Sequence, residues 1–390
     1  MISCESKSSK TVSEQVKDST GLSDRPAINN NTLEPTPEFC KNDSLDELAC
    51  IISGIQTDKP RFYPDVVKKK SFQEFSHTFT RKWSEFDTSR LSLLQTFSRN
   101  EIRPNVSKCK TLFYPFSGPD FLYANAFFPD ANVYILMGLE PVGSLPVFSA
   151  DETADSTSNY FNALKKSLHA ILNFSFFRTV AMKTDLHDQE VNGTVHLLLL
   201  FIKRSEFDIC SVKPGFIDTS GQWNTLNNFD DLARKISNNK GVEIIFSDTS
   251  GIKKTLYYFS IHLEDGALKH NRNLKNYFGL MGNVTTYLKG ASYLMHESYF
   301  SEIRNYILKK SSTIVQDDSG IAFRYFKTSE FNWEYSLYGN YVKPISLFSY
   351  AYQTDLDSLW KVKGSKSVGF GIGYNFKDKN SNLMIAKKIK

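Results

Sequence analysis

Two short apolar stretches, separated by a helical one, constrain the fold of this sequence most. Residues 111–116 and 133–137 are predicted strands, and residues 121–128 between them are a predicted helix that ends at Pro129. Parallel strands joined by a helical crossover form a β-α-β unit, and strands that lack a polar face are buried on both sides. We therefore expect an α/β fold, with a mixed but mostly parallel sheet flanked by helices and a Rossmann-like start.

Periodicity and turn residues extend this pattern along the chain. An aromatic stripe at spacings of 3, 4, 4 and 3 predicts one buried helix face, formed by Phe72, Phe75, Phe79, Trp83 and Phe86. The turn Asp248-Thr249-Ser250-Gly251 separates two predicted strands and indicates an antiparallel hairpin, which makes the sheet mixed. Further helices are expected over 158–182 and 274–309, and further strands over 195–203, 207–217, 241–247, 254–263, 321–326, 333–338, 342–348 and 368–376.

Composition bounds the size and the class of the protein. With 390 residues, 41% of them hydrophobic, the chain can bury a large core. Its net charge of +5 is too small a bias to indicate nucleic-acid binding, and no apolar run approaches the ~20 residues of a membrane-spanning helix. We predict a flexible tether over 1–43, an α/β body with N-terminal helices over 44–310, and an aromatic, strand-rich C-terminal subdomain over 311–390.

The first residues carry a pattern that bears on cellular localisation. Met1-Ile2-Ser3-Cys4 is followed by a polar segment, residues 5–37, rich in Ser, Thr, Asn and Lys, which cannot bury enough apolar area to fold. The tetrapeptide resembles the lipobox of bacterial lipoproteins. That resemblance implies an export signal that begins upstream of Met1, lipidation of Cys4, and a membrane-anchored protein of the bacterial cell envelope. The alternative is a disordered tail on a cytoplasmic protein.

The remaining cysteines fit either two disulfides or four buried thiols. They are Cys40, Cys50, Cys109 and Cys210. Cys40 and Cys50 bracket a short helical stretch and could pair in an oxidising compartment. Because the chain contains no Cys-x-x-Cys, we expect neither a zinc site nor a thioredoxin-like motif, and we predict no metal site.

The strongest candidate site lies at the ends of the two apolar strands. Ser117, Gly118 and Asp120 follow the first strand, and Glu140 ends the second, 22 residues after Gly118. In dinucleotide and S-adenosylmethionine folds, a glycine turn lets the backbone approach the ligand and an acidic residue about 20 positions on binds ribose. Here a single glycine precedes Pro119, which removes an amide. Two carboxylates could equally serve a hydrolase, a cation or a sugar. The structural alternative is an ordinary unit in which Asp120 caps a helix.

A second candidate lies on the predicted helix near Tyr287. At 100° per residue, Lys289, Ser292 and His296 fall on one side of that helix. A histidine beside a lysine and a serine could form a general base next to a cationic group. The alternative is the solvent face of an amphipathic helix.

A third candidate is the acidic segment that contains Asp317 and Asp318. Asp318-Ser319-Gly320 resembles the catalytic triplet of aspartic proteases, but a polar pair precedes it and the chain has no second copy. A turn or a calcium-binding loop explains this segment better, and we expect an exposed turn.

These observations favour an envelope lipoprotein that binds a ligand or a protein partner, with no cofactor, no nucleic acid and no established catalytic signature. The alternatives are a hydrolase that uses Asp120, Glu140 and His296, or a Rossmann-like group transferase if the protein is cytosolic. Strand-like aromatic residues near the C-terminus could stack on sugar rings, although sheet packing explains them better; they are Trp333, Tyr335, Tyr338, Tyr341, Tyr350, Tyr352 and Trp360.

Overall fold

Ten strands pair into one sheet in the computed structural model, which describes residues 40, 42–106, 110–148, 154–174, 191–376 and 380–389. The strands are β1 (Thr111–Tyr114), β2 (Val133–Gly138), β3 (Asp208–Ile217), β4 (Trp223–Thr225), β5 (Lys240–Ser247), β6 (Lys253–Ser260), β7 (Val284–Leu288), β8 (Ser311–Gln316), β9 (Asn332–Gly339) and β10 (Asn382–Ile389). Their order across the sheet is β4-β3-β5-β6-β2-β1-β7-β8-β10-β9.

The centre of the sheet is parallel and both sides are antiparallel. β1 pairs in parallel with β2 and β7, which in turn pair in parallel with β6 and β8. On one side β5, β3 and β4 continue in antiparallel fashion, and on the other β10 runs antiparallel between β8 and β9. The predicted α/β class, the mixed sheet and the β-α-β start are confirmed.

Helices flank this sheet, and they supply the apolar surface that buries it. They are α1 (Asp43–Ile52), α2 (Pro64–Lys68), α3 (Lys70–Phe86), α4 (Ser92–Phe97), α5 (Phe121–Phe127), α6 (Ala154–Phe174), α7 (Val195–Arg204), α8 (Phe229–Lys235), α9 (Asp265–His270), α10 (Arg272–Leu280), α11 (Ser301–Lys310), α12 (Phe323–Lys327) and α13 (Thr354–Lys363). The aromatic stripe of α3 packs on α6, where the Phe75 and Phe161 rings stack at 4.5 Å.

The central strands are covered on both faces. Leu112 and Tyr134 belong to the core on one face of the sheet, and Phe113 and Ile135 belong to the core on the other. All four side chains are fully buried. This double burial explains why β1 and β2 read as continuous apolar runs.

Several predicted strands are wrong. Residues 195–203 form the helix α7, which is buried from Val195 to Ile202, and a fully apolar run carries no periodicity that separates helix from strand. Residues 323–327 are also helical, and residues 342–348 and 368–376 contain no strand. In the other direction, the predicted helical region 274–309 contains β7.

The cysteine pairing also differs from the suggested one. Cys40 forms a disulfide with Cys210 of β3, and Cys50 is a buried free thiol in α1. Burial raises the pKa of the Cys50 thiol to about 11. The pairing of Cys40 with Cys50 is therefore wrong. Cys4 and Cys109 lie outside the described residues.

The predicted domain boundary at residue 311 falls inside the sheet, because β8, β9 and β10 extend it from β7. Most of the predicted tether over 1–43 lies outside the described residues, and α1 begins at Asp43. No helix in the described ranges combines the length and the apolar character needed to cross a bilayer.

Candidate functional site

The carboxyl ends of the parallel strands meet at one edge of the sheet. From β1 the chain passes to β2 on one side, and it later enters β7 on the other side. The strand order therefore reverses between β1 and β7. In open α/β sheets, ligands bind outside the carboxyl ends of the strands at such a switch point.

A buried ion pair bridges the ends of β1 and β7. Lys289 Nζ lies 2.7 Å from Asp120 Oδ2, and the two side chains are 1% and 2% exposed. The same oxygen accepts a hydrogen bond from Tyr114 Oη at 3.0 Å, while Asp120 Oδ1 caps α5 by accepting from the Tyr123 amide. Burial lowers the pKa of Lys289, and the carboxylate of Asp120 opposes that shift. Asp120 thus caps α5, as in the structural alternative, and it also forms an ion pair with Lys289.

Two further carboxyls follow β8, next to this pair. Asp317 accepts hydrogen bonds from the Gly290 amide at 2.9 Å and from the Ser319 amide and hydroxyl. Asp318 accepts from Tyr293 Oη at 2.8 Å and from Asn382 Nδ2 at 3.0 Å. Burial raises the pKa of both carboxyls, that of Asp318 to about 7 with a contribution from Asp317.

The expectation of an exposed turn at Asp317–Ser319 is wrong. Asp317 is 2% exposed and Ser319 is fully buried. The loop before β10 seals this segment, because Gly373 lies so close to Asp317 that a Cβ atom there would clash with the carboxylate. Gly373 has a φ of +66°, a conformation that glycine adopts without strain.

Glu140 lies against the glycine turn that follows β1. Gly118 has a φ of +55°, and a Cβ atom built on it would lie 3.5 Å from Glu140 Oε2. Gly138 is closer still, since any side chain there would clash with the same oxygen. Tyr258 Oη donates to the Glu140 carbonyl at 2.9 Å, and Ser117 Oγ donates to the Gly118 carbonyl at 2.8 Å. Glu140 and the glycine turn at the ends of β1 and β2 are therefore in direct contact.

Lys289, Ser292 and His296 do not share a helix face, and that prediction is wrong. Lys289 follows directly on β7, and Ser292 lies in a left-handed turn, where its Oγ is 2.7 Å from Tyr374 Oη. His296 ends a short 3-10 helix. β7 is a buried parallel strand that includes β-branched Val284, and such residues suit a strand better than a helix.

His296 lies on a separate cavity beyond Tyr293. The cavity has a volume of about 360 Å³ and is lined by His296, Glu297, Arg324, Tyr350, Ala351, Tyr352, Gln353, Thr354 and Asp355. His296 is 7% exposed, and burial, reinforced by the charge of Arg324, lowers its pKa to about 4. The imidazole is therefore neutral at physiological pH.

Sequence reasoning missed Arg324, Gln353, Tyr293 and Asn382. Tyr293 and Asn382 hold the Asp318 carboxyl, and Gln353 donates to the Asp318 carbonyl at 3.3 Å. Asn382 stands at the start of β10, far from Asp318 in sequence, so no local spacing indicates it. A polar residue at the start of the last strand was the only available signal.

No family model, curated protein or solved structure matches the chain. Within the described ranges, no group of three or more His, Cys, Asp or Glu side chains could hold a metal ion. At the sheet edge the Glu140 carboxylate packs directly on the glycine turn, and Asp318 supplies a buried carboxyl whose pKa of about 7 suits proton exchange.

Proposed function

We propose that this protein is a Rossmann-like group transferase, which binds a ribose-bearing ligand at the ends of β1 and β2. The observation that carries the proposal is the left-handed turn at Gly118, which lies against the Glu140 carboxylate at the switch-point edge. In dinucleotide and S-adenosylmethionine folds, a carboxylate in that position accepts hydrogen bonds from ribose hydroxyls. Here Glu140 is 2% exposed and fills the space beside Gly118, so the sugar would enter as the carboxylate swings off the turn.

The strand order gives independent support. Seven neighbouring strands follow the order β6-β2-β1-β7-β8-β10-β9, and β10 is the one among them that runs antiparallel to the rest. The same order, with the same antiparallel strand, is typical of S-adenosylmethionine-dependent methyltransferases. This is an analogy of topology, and a fold by itself does not define a function.

The charges at the edge favour a cationic nucleoside over a dinucleotide. Asp120, Glu140, Asp317 and Asp318 place four carboxyls there, with Lys289 as the basic partner of Asp120. A pyrophosphate would be repelled by this acidic excess, and Pro119 lacks the amide that would face it. A sulfonium ion would be attracted.

The chain's own residues suit transfer to a hydroxyl or amine. S-adenosylmethionine, when bound, supplies an activated methyl group. Glu140 would hold its ribose, and the Asp120–Lys289 pair would fix the floor of the site. Asp318 titrates near neutrality, so its carboxylate can take up the proton that an acceptor loses.

Calorimetric titration of the full chain tests this proposal. We expect S-adenosylmethionine to bind with saturation and NAD⁺ to bind at least about tenfold more weakly. Glu140→Gln should weaken S-adenosylmethionine binding at least about tenfold, because charge-assisted hydrogen bonds to ribose are lost. Glu243→Gln is the matched control, since Glu243 is also hydrogen-bonded to a tyrosine, Tyr257, but lies on β5. An absence of binding, or equal effects of the two variants, would refute the proposal.

A second candidate function is that of an exported, lipid-anchored binding protein. The Cys40–Cys210 disulfide favours it, because disulfides persist in oxidising compartments. The lipobox-like Cys4 is consistent with the same location, the bacterial cell envelope. Nucleoside cofactors are cytosolic, so the two candidates exclude each other. In the native host, an acylated Cys4 in the membrane fraction would support the binding protein, and an unmodified N-terminus in the soluble fraction would contradict it.

The hydrolase alternative has less support. Asp120 pairs with Lys289, Glu140 lies at Gly118, and His296 lies on the cavity beside Arg324. Among the described residues, no hydrogen bond or ion pair joins the His296 side chain to either carboxylate.

A further inference from the structure

The cavity beside His296 has the size and the wall of a small-molecule site. Its volume of about 360 Å³ lies at the lower end of the range for ligand pockets. It is bounded by the loop after β7, by Arg324 of α12 and by the first turn of α13. Exposed Tyr350 and half-buried Tyr352 supply aromatic walls, and the Tyr352 ring is fixed by stacking on Tyr341 at 5.6 Å.

His296 places a buried, unpaired ring nitrogen beside this cavity. Its Nε2 has no hydrogen-bond partner among the described residues. A neutral imidazole has one N–H donor and one acceptor nitrogen, and either role at Nε2 suits a hydroxyl, which can both donate and accept. A buried polar atom of this kind is costly unless a polar group of a ligand meets it.

The opposite side of the cavity favours an anion. Gln353, Thr354 and Asp355 form the N-terminus of α13, a helix of ten residues, and the first amides of a helix lack intrahelical partners. Arg324 is held at the same cavity, because its Nη2 donates to the His296 carbonyl at 2.7 Å. A guanidinium matches the planar geometry of a carboxylate.

Two acidic residues limit the ligand to one negative charge. Asp355 is engaged already, since its Oδ1 accepts from the Leu356 amide at 3.0 Å and its Oδ2 lies 3.8 Å from Lys327 Nζ. Glu297 is the other carboxylate of the wall, and it would repel a second anionic group while it accepts from a hydroxyl.

We propose that this cavity binds a monoanionic, hydroxylated ligand of the acidic-sugar class. The carboxylate lies between Arg324 and the N-terminus of α13, a ring hydroxyl pairs with His296 Nε2, and the sugar ring packs on Tyr350 and Tyr352. This site is separate from the Gly118–Glu140 edge and does not depend on the ligand proposed there.

Titration of the full chain with D-glucuronate and with D-glucose tests the inference. We expect saturable binding of D-glucuronate and at least about tenfold weaker binding of D-glucose, which lacks the carboxylate. Arg324→Gln should weaken D-glucuronate binding at least about tenfold. Lys363→Gln makes the same charge change at the other end of α13 and should alter the affinity less than about twofold.

Two further variants separate this site from its surroundings. His296→Gln keeps a polar side chain but removes the polar atom at the Nε2 position, and it should weaken D-glucuronate binding about tenfold. Glu140→Gln should leave D-glucuronate binding unchanged. Equal affinity for both sugars, no saturation at about 10 mM, or equal losses in Arg324→Gln and Lys363→Gln would overturn the proposal. Because Arg324 is exposed, its variant remains informative if His296→Gln does not fold.

Discussion

The buried carboxyl cluster consists of Asp120, Lys289, Asp317 and Asp318, and the cavity beside His296 lies on the other side of Asp318. The two regions differ in whether the protein itself pairs their buried polar groups. In the cluster, Asp120 has Lys289, and the Asp318 carboxyl has Tyr293 and Asn382. Beside the cavity, the His296 imidazole keeps one ring nitrogen without a partner among the described residues. Buried charges are stable when the protein itself pairs them, whereas a binding site must leave a group for the ligand. The comparison predicts that mutations in the cluster cost stability and that mutations in the cavity cost affinity.

The largest expected effect comes from the buried ion pair. Lys289→Met removes the partner of a buried carboxylate, and breaking such a pair costs about 3–5 kcal/mol in the free energy of unfolding. Urea denaturation measures the loss. Lys366→Met is the control, because the pair of Lys366 with Glu101 is partly exposed and is worth at most about 1 kcal/mol.

A double variant decides whether the loss comes from the orphaned charge. Adding Asp120→Asn to Lys289→Met leaves no uncompensated carboxylate at that position, so part of the lost stability should return. If the double variant is less stable than Lys289→Met by the full cost of the Asp120 change, the two side chains act independently, and the cluster is not held together by charge pairing.

The next effect concerns the loop that seals the cluster. Gly373→Ala places a Cβ atom against the buried Asp317 carboxylate and forces a left-handed alanine, which together cost about 2–4 kcal/mol. Gly369→Ala is the control, because Gly369 has a φ of +74° and a Cβ atom there would meet nothing within 4 Å. Only the backbone cost of about 1–2 kcal/mol should then appear. Equal losses in denaturation experiments would mean that the seal at Asp317 is loose.

Part of this contrast could be predicted from the sequence. Asp120 and Glu140 were placed at one sheet edge because they follow consecutive apolar strands of a β-α-β unit, and the carboxyl ends of parallel strands share an edge. Asp317 was recognised as a candidate, but its burial was not. Its cover comes from Gly373, which lies beyond β9 and α13 in the chain, and no local pattern reports such a contact.

The regions that escaped prediction are those where periodicity is absent or misleading. Residues 195–203 are apolar throughout, so helix and strand cannot be told apart there. Around β7, alternative spacings fitted a helix, and this put Lys289 and His296 on one face. The strand directs them to different places, Lys289 into the cluster and His296 to the cavity.

The third effect is a dependence on pH. An unfolded aspartate loses its proton near its ordinary pKa of 3.8, whereas the Asp318 carboxyl keeps it until about 7. Between these pH values the folded state binds more protons than the unfolded state, so the free energy of unfolding falls as pH rises. Asp318→Asn is neutral at every pH and should be more stable than the parent at pH 8, by roughly 1–3 kcal/mol.

Denaturation at several pH values checks this prediction. The stability difference between Asp318→Asn and the parent should shrink towards pH 4, because the folded parent is protonated there and the unfolded chain begins to take up the same proton. Asp230→Asn, on an exposed ion pair with Arg234, should leave the pH profile unchanged. A difference that is constant from pH 4 to pH 8 would show that the side chain acts through packing and not through its charge.

The smallest effect separates two neighbouring tyrosines of the cluster, Tyr114 and Tyr287, whose rings lie 4.6 Å apart. The Tyr114 hydroxyl donates to Asp120, whereas the Tyr287 hydroxyl is buried without a partner among the described residues. Tyr114→Phe should therefore cost about 1 kcal/mol, and Tyr287→Phe should be neutral or stabilising by a few tenths, because an unsatisfied buried hydroxyl is removed. Urea denaturation of both variants measures the difference. If Tyr287→Phe loses as much stability as Tyr114→Phe, its hydroxyl has a partner such as an ordered water, and the cluster would then share with the cavity the property of reserving a polar contact for a guest molecule.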